Sequence, residues 1–134
     1  MNLAHCAGII VIDGNNTILV STKNNNYSFP KGKRNKGETI IDTAWRELNE
    51  ETGLEKKHIQ LIDNFSINET SNKGNIAITY FVGKLIEKPQ QLKFDSDELH
   101  NAEFIKIDDA YKLESFKERR KDILKQAYEK VLNI

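Results

Sequence analysis

Residues 32–54 read GKRNKGETIIDTAWRELNEETGL, and the organisation of the chain follows from how this stretch folds. Ile41, Ala44, Trp45 and Leu48 fall at i, i+3, i+4 and i+7, the apolar stripe of a helix packed on one side, so the spacing predicts a helix over 39–52. Trp45, on that stripe, reads as core. Gly53 ends the helix, because glycine takes the left-handed conformation that closes the last carbonyls. On the opposite surface Glu47, Glu50 and Glu51 sit at i, i+3 and i+4, where like charges cost a helix about a few tenths of a kcal/mol per pair. Such a face is ordinarily only solvated. Here a basic, glycine-rich loop precedes it, and Arg46, four residues before Glu50, is placed to pair with a carboxylate and orient it. Hard carboxylate oxygens in that setting point to Mg²⁺ or Mn²⁺.

Outward from this stretch the chain alternates extended and turn-forming segments. Residues 4–12 are rich in Ile and Val, 13–16 form a turn, and 17–22 resume an extended pattern, which predicts a hairpin. Residues 23–27 read as a loop, and 31–37 as irregular. Two more strands are expected at 58–70 and 75–85, reversed through Ser71-Asn72-Lys73-Gly74. Residues 87–99 read as irregular and 103–107 as a short strand. A C-terminal helix follows, with Ser115 and Glu118 as a capping box and Ile123, Leu124, Ala127, Tyr128 and Val131 as its buried stripe. Strands grouped around one early and one final helix predict an α+β sandwich with a mixed sheet, in a single domain spanning 1–134.

Composition narrows the function. The 134 residues are 38% hydrophobic and 30% charged, which suits one core and argues against a membrane protein. Twenty basic side chains balance twenty acidic ones, so the charge gives no global reason to bind nucleic acid, and anion recognition must be local. The single cysteine, Cys6, the absence of zinc spacing and the shortness of the longest apolar run, 7–12, predict a cytoplasmic protein.

Gly32, Glu38, Arg46, Glu47, Leu48, Glu50, Glu51, Gly53 and Leu54 write the pattern G-x5-E-x7-R-E-U-x-E-E-x-G-U, with U a bulky aliphatic. This matches every specified position of the Nudix hydrolase signature, and the chain resembles that family. The resemblance implies an α/β/α sandwich with a loop-helix-loop motif, a Mg²⁺ site on Glu47, Glu50, Glu51 and the Gly32 carbonyl, and hydrolysis of a nucleoside diphosphate linked to another group. Catalysis falls to Glu47, Glu50, Arg46 and Glu98, with either Glu47 or Glu98 as the base. Lys31 and Lys33 are the expected phosphate contacts, and His100 a contact to phosphate or ribose.

Within the family the chain resembles the asymmetrical diadenosine tetraphosphate hydrolases, through His5-Cys6-Ala7-Gly8-Ile9-Ile10, Phe29-Pro30-Lys31-Gly32, Asn72-Lys73 before Tyr80, and residues 113–118. That resemblance implies an adenine held between Tyr80 and Phe116, and a distal phosphate on Lys73. Tyr80 also shares strand parity with Ile76 and Ile78, which would place it in the core instead. It departs from those relatives at Lys33, where they carry histidine, and at Lys36-Gly37. The expected partner is a dinucleoside polyphosphate, with no membrane and no obligate nucleic acid. The alternatives are cleavage of an mRNA cap or an RNA 5′ pyrophosphate, which the similar loop at 31–36 suggests, cleavage of oxidised nucleoside triphosphates, and a nucleotide-sensing module without turnover.

Overall fold

The computed structural model describes residues 5–134; Ala4, the first residue of the first expected strand, lies outside them. Seven strands, β1 (Cys6–Asp13), β2 (Asn16–Thr22), β3 (Tyr27–Ser28), β4 (Lys31–Lys33), β5 (Ile59–Thr70), β6 (Ile76–Leu85) and β7 (Leu99–Lys106), form one sheet. Helix α1 (Ile40–Thr52) lies on one face and α3 (Glu118–Leu132) on the other, with a single turn, α2 (Ile107–Ala110), after β7. No helix among the described residues is long and apolar enough to cross a membrane.

Strand β1 organises the two layers through its pleat. Ala7, Ile9 and Val11 join Ala44, Leu48 and Leu54 under α1, whereas Ile10 and Ile12 join Tyr80, Val82, Leu124 and Ala127 under α3. A strand apolar on both sides reads as a continuous run, which is why residues 7–12 carry no polar alternation. One edge of β1 pairs in parallel with β6, from Cys6 with Ile78 to Ile12 with Lys84. Its other edge is forked: Cys6, Ala7 and Gly8 pair with β4, while Ile12 and Asp13 pair with β2. Strand β2 then turns away to pair with β7 and β3.

Most expected elements are present. Thr39 caps α1, its hydroxyl accepting the N–H of Asp42 at 3.1 Å, and Gly53 closes the helix at φ 80°. Four readings need correction. Residues 31–33 are not irregular but form β4, because Gly8 has no side chain: a Cβ there would overlap the Pro30 carbonyl and Lys31. Strand β7 starts at Leu99, four residues earlier than expected, since β2 supplies a partner along its length. The box at Ser115 does not form. Helix α3 begins at Glu118 without a side-chain cap, and the Ser115 carbonyl is taken by the N–H of Tyr27. Ile41, assigned to the apolar stripe, is 39% exposed.

Beneath α3 lies a buried ion pair. Arg120 donates from Nε to Glu69 Oε1 at 2.9 Å and from Nη2 to Oε2 at 3.2 Å, and the Tyr80 hydroxyl donates to the same Oε1 at 3.2 Å. Both charges are nearly closed to solvent, and the guanidinium holds the Glu69 carboxyl below its usual range despite burial. Removing one partner strands the other, at a typical cost of ~3–5 kcal/mol, whereas an apolar pair of similar volume is often neutral. Glu69→Ala should therefore lower the urea midpoint strongly, and Glu69→Leu with Arg120→Met should recover most of the loss. A double variant as unstable as the single one would contradict this.

Candidate active site

The site is assembled where β4 crosses the C-terminal half of α1. Leu48 and Ala44 fix the rotation of the helix by packing on β1, and that rotation turns Glu47 inward to 9% exposure. The Glu47 carboxylate occupies the volume a side chain on Gly32 would need, so a Cβ at Gly32 would overlap it directly. One turn on, Glu51 Oε1 accepts the backbone N–H of Lys31 at 3.0 Å.

Arg46 binds the loop to the helix. Its Nε and Nη2 clasp the two oxygens of Glu38 at 2.7 and 3.0 Å, and Nη2 also donates to the Lys33 carbonyl at 2.7 Å. Its remaining nitrogen, Nη1, reaches Glu47 at 3.3 Å and Glu50 at 3.1 and 3.2 Å. Glu38 further accepts from the Asn35 N–H at 2.8 Å and the Thr43 hydroxyl at 2.9 Å. This crowd of donors, Arg46 first, holds its carboxyl down at about 2, and Glu38 in turn raises the Arg46 guanidinium.

The acids facing the loop behave oppositely. Burial first, then neighbouring Glu50, pushes Glu47 up to about 7, against the pull of Arg46. Burial also pushes Glu51 up to about 8, and the Lys31 N–H offsets only part of that. The charge of Glu98 raises both, so the loop before β7 brings that side chain into their field. A dication bound there would favour the charged carboxylates and draw both groups back toward their ordinary range.

The expected trio does share a surface, but among the described residues no three acids are gathered as a ready ligand set. Arg46 holds Glu50, and the Lys31 amide holds Glu51. The donors nonetheless suit a hard dication: all are oxygens, and Gly32 leaves the cradle open for the carboxylate. Glu47, Glu50, Glu51 and the Gly32 carbonyl are the groups that would hold it.

Other expected residues are placed differently. Lys31 contributes its amide to the acids, and Lys33 its carbonyl to Arg46 while its side chain is exposed. Lys73 is exposed on the β5–β6 turn; because Cys6 pairs with both Lys33 and Ile78, that turn leaves the same end of the sheet as β4. His100 is exposed on β7. Tyr80 and Phe116 do not form an open base clamp: they are 0% and 1% exposed, and Phe29 packs edge-on against both, with centroids 5.1 and 5.5 Å away. The core reading of Tyr80 is the correct one, since its hydroxyl is committed to Glu69. The part of Glu38 as the main partner of Arg46 had no assigned role in the sequence; the only signal was its place in the motif, eight residues before Arg46.

The NUDIX domain model matches residues 3–127, and the chain belongs to that family. It is similar to the bis(5′-nucleosyl)-tetraphosphatase [asymmetrical] of Mus musculus, 26% identical over 97 residues, 70% of this chain and 65% of that protein. It is also similar to the RNA pyrophosphohydrolase of Xylella fastidiosa, 47% identical over 36 residues, 27% of this chain and 19% of that protein. The chain thus spans less than two thirds of either relative. A crystal structure of a C. elegans Ap4A hydrolase binary complex superposes with a TM-score of 0.83 at 18% identity, covering 96% of this chain and 99% of that one.

The raised acids set a pH dependence. A carboxyl near 4.5 when unfolded and at about 7 or 8 when folded gives its full stabilisation below pH 4.5, and that contribution is lost progressively from pH 4.5 until it is gone above about 8. In chelator the melting temperature should fall across that window. Mg²⁺ should reverse the fall and Glu51→Gln should flatten it; a profile in chelator that is flat for the parent protein would contradict the assignment.

Proposed function

We propose that this protein is a Mg²⁺-dependent hydrolase of nucleoside diphosphates linked to another group, with diadenosine tetraphosphate, cleaved to ATP and AMP, as its principal substrate. The observation that carries the reading is the seating of Glu47 against Gly32 beside Arg46, which presents a largely buried carboxyl against the loop of the motif. The choice of substrate is supported by the tetraphosphatase relative, which matches along 70% of the chain.

A bound divalent cation would neutralise the pyrophosphate oxygens and acidify an attacking water. The chain's own residues supply the remainder. Arg46 fixes Glu47 and Glu50 in place and holds the loop to the helix. Glu98 serves as the proton acceptor: among the described residues its carboxylate has no hydrogen-bond partner, whereas each acid of the motif has one. Water oxygen bonds to phosphorus as the bridging P–O bond breaks, the bridging oxygen departs with the electron pair on the leaving phosphate, and the water proton passes to Glu98. The exposed cations Lys33 and Lys73 lie at the same end of the sheet, where the outer phosphates of a long substrate would meet them. Mg²⁺ is favoured over a softer metal because the donors are all oxygens.

A second reading, removal of pyrophosphate from an RNA 5′ end, is favoured by the 36-residue match to an RNA pyrophosphohydrolase. Neutral net charge weighs against it.

Purified protein incubated with Mg²⁺ and dinucleoside polyphosphates, capped and 5′-triphosphorylated RNA, and nucleoside triphosphates should release ATP and AMP from diadenosine tetraphosphate fastest, as resolved by chromatography. Turnover of RNA alone would overturn the substrate. Gly32→Ala, which displaces the Glu47 carboxylate, should cost about 100-fold in kcat or more with the fold retained by circular dichroism. Glu51→Gln should cost roughly as much, and an active Glu51→Gln would remove that residue from the site.

A further inference from the structure

The segment between β6 and β7 carries Glu98 toward the acids, and two anchors set its course. The first is the end of α1. The Lys93 N–H donates to the Thr52 carbonyl at 2.8 Å, and a Cβ on Gly53 would stand 3.1 Å from Lys93 Cβ and 3.3 Å from its nitrogen. Thr52 is itself fixed, its hydroxyl donating to the Leu48 carbonyl at 2.6 Å and accepting the Leu54 N–H at 3.1 Å. On either side of Lys93, Leu92 packs against the cluster under α1 and Phe94 against the one formed by Val20, Leu99 and Ala102. Residues 92–94 are therefore docked on the helix cap next to Glu51.

The second anchor is Asp95. Its Oδ1 accepts the Asp97 N–H at 2.9 Å, and its carbonyl accepts the N–H groups of Glu98 at 3.1 Å and Leu99 at 2.9 Å. These bonds fold residues 95–99 into one tight turn, which ends as Leu99 becomes buried and β7 begins. Asp95 is exposed and, among the described residues, makes no ion pair, so its carboxylate serves no visible purpose except to close the turn. Without that closure, the three residues between the docked segment and Glu98 have no other side-chain restraint.

We propose that Asp95 is a positioning residue for the hydrolytic reaction: its turn, docked on the cap of α1, sets how far Glu98 reaches toward Glu47 and Glu51. This rests on Glu98 as proton acceptor, and it assigns Asp95 no contact with substrate or metal. The required chemistry is an acceptor at the Oδ1 position and not a charge, so asparagine fulfils it and alanine does not.

The test compares Asp95→Ala, Asp95→Asn, Glu98→Gln and the double variant Asp95→Ala/Glu98→Gln on the dinucleoside tetraphosphate with Mg²⁺, and measures amide hydrogen exchange of the metal-free proteins. Asp95→Ala should lower kcat about tenfold with KM little changed, and should expose the Asp97 amide to exchange and, as the turn loosens, those of Glu98 and Leu99. Asp95→Asn should restore both to within about threefold of the parent, and the double variant should be no slower than Glu98→Gln. An Asp95→Ala protein with parental kcat beside an impaired Glu98→Gln would overturn the proposal alone. So would losses that multiply in the double variant, or an asparagine variant as slow as alanine. A fully active Glu98→Gln would instead remove the proton acceptor, and the role of Asp95 with it.

Discussion

The guanidinium of Arg46 is the contact on which the site depends. It meets Glu38 in a two-pronged pair, takes the Lys33 carbonyl with the same nitrogen, and reaches Glu47 and Glu50 with the remaining one. A loop and a helix face are thereby tied through one planar group. Lysine could not reproduce this, because it offers a point charge in place of a fixed fork of donors. With Glu38 held well below its ordinary range, the positive charge of Arg46 is already largely matched. That leaves the inner acids only partly compensated, in keeping with the upward displacement of Glu47.

The arrangement costs stability where it supplies function. Glu47 and Glu51 are drawn into a poorly solvated seam by a helix whose rotation is set on its other side, by Ala44 and Leu48 against β1. Two glycines make the seam narrow enough: Gly8 lets β4 approach β1, and Gly32 lets Glu47 approach β4. The apolar packing that fixes the helix is thus also what forces carboxylates together, a penalty that a cation bound there would offset.

Local signals were legible in the sequence and tertiary ones were not. Helix α1 and its Gly53 stop follow from side-chain chemistry within a few residues, and so do the turns between β1 and β2 and between β5 and β6. Strand β4 has no local signature, since it exists because Gly8 opens a place beside β1. The base clamp of Tyr80 and Phe116 came only from the resemblance; strand parity already offered the core for Tyr80, whereas the burial of Phe116 depends on Phe29, far from it in the chain. The acids of the motif were legible as a group and Arg46 as a partner at i,i+4 spacing, but the partner of Glu51 was not, because Lys31 reaches it across twenty residues of chain. Residues 92–95 were unreadable for a similar reason: their course is imposed by the end of α1.

The parallel pairing of β1 with β6 joins Cys6 to Ile78, partners about 70 residues apart, across a span that contains the whole loop-helix motif. Contacts of such separation form late, after the entropy of closing a long loop has been met. The groups that crowd the acids belong to β1, β4 and α1, all within residues 6–52, so that crowding does not wait for β6. Strand β6 closes the opposite edge of β1 instead, so one short stretch of chain builds the acidic seam and a distant strand completes the sheet that carries it.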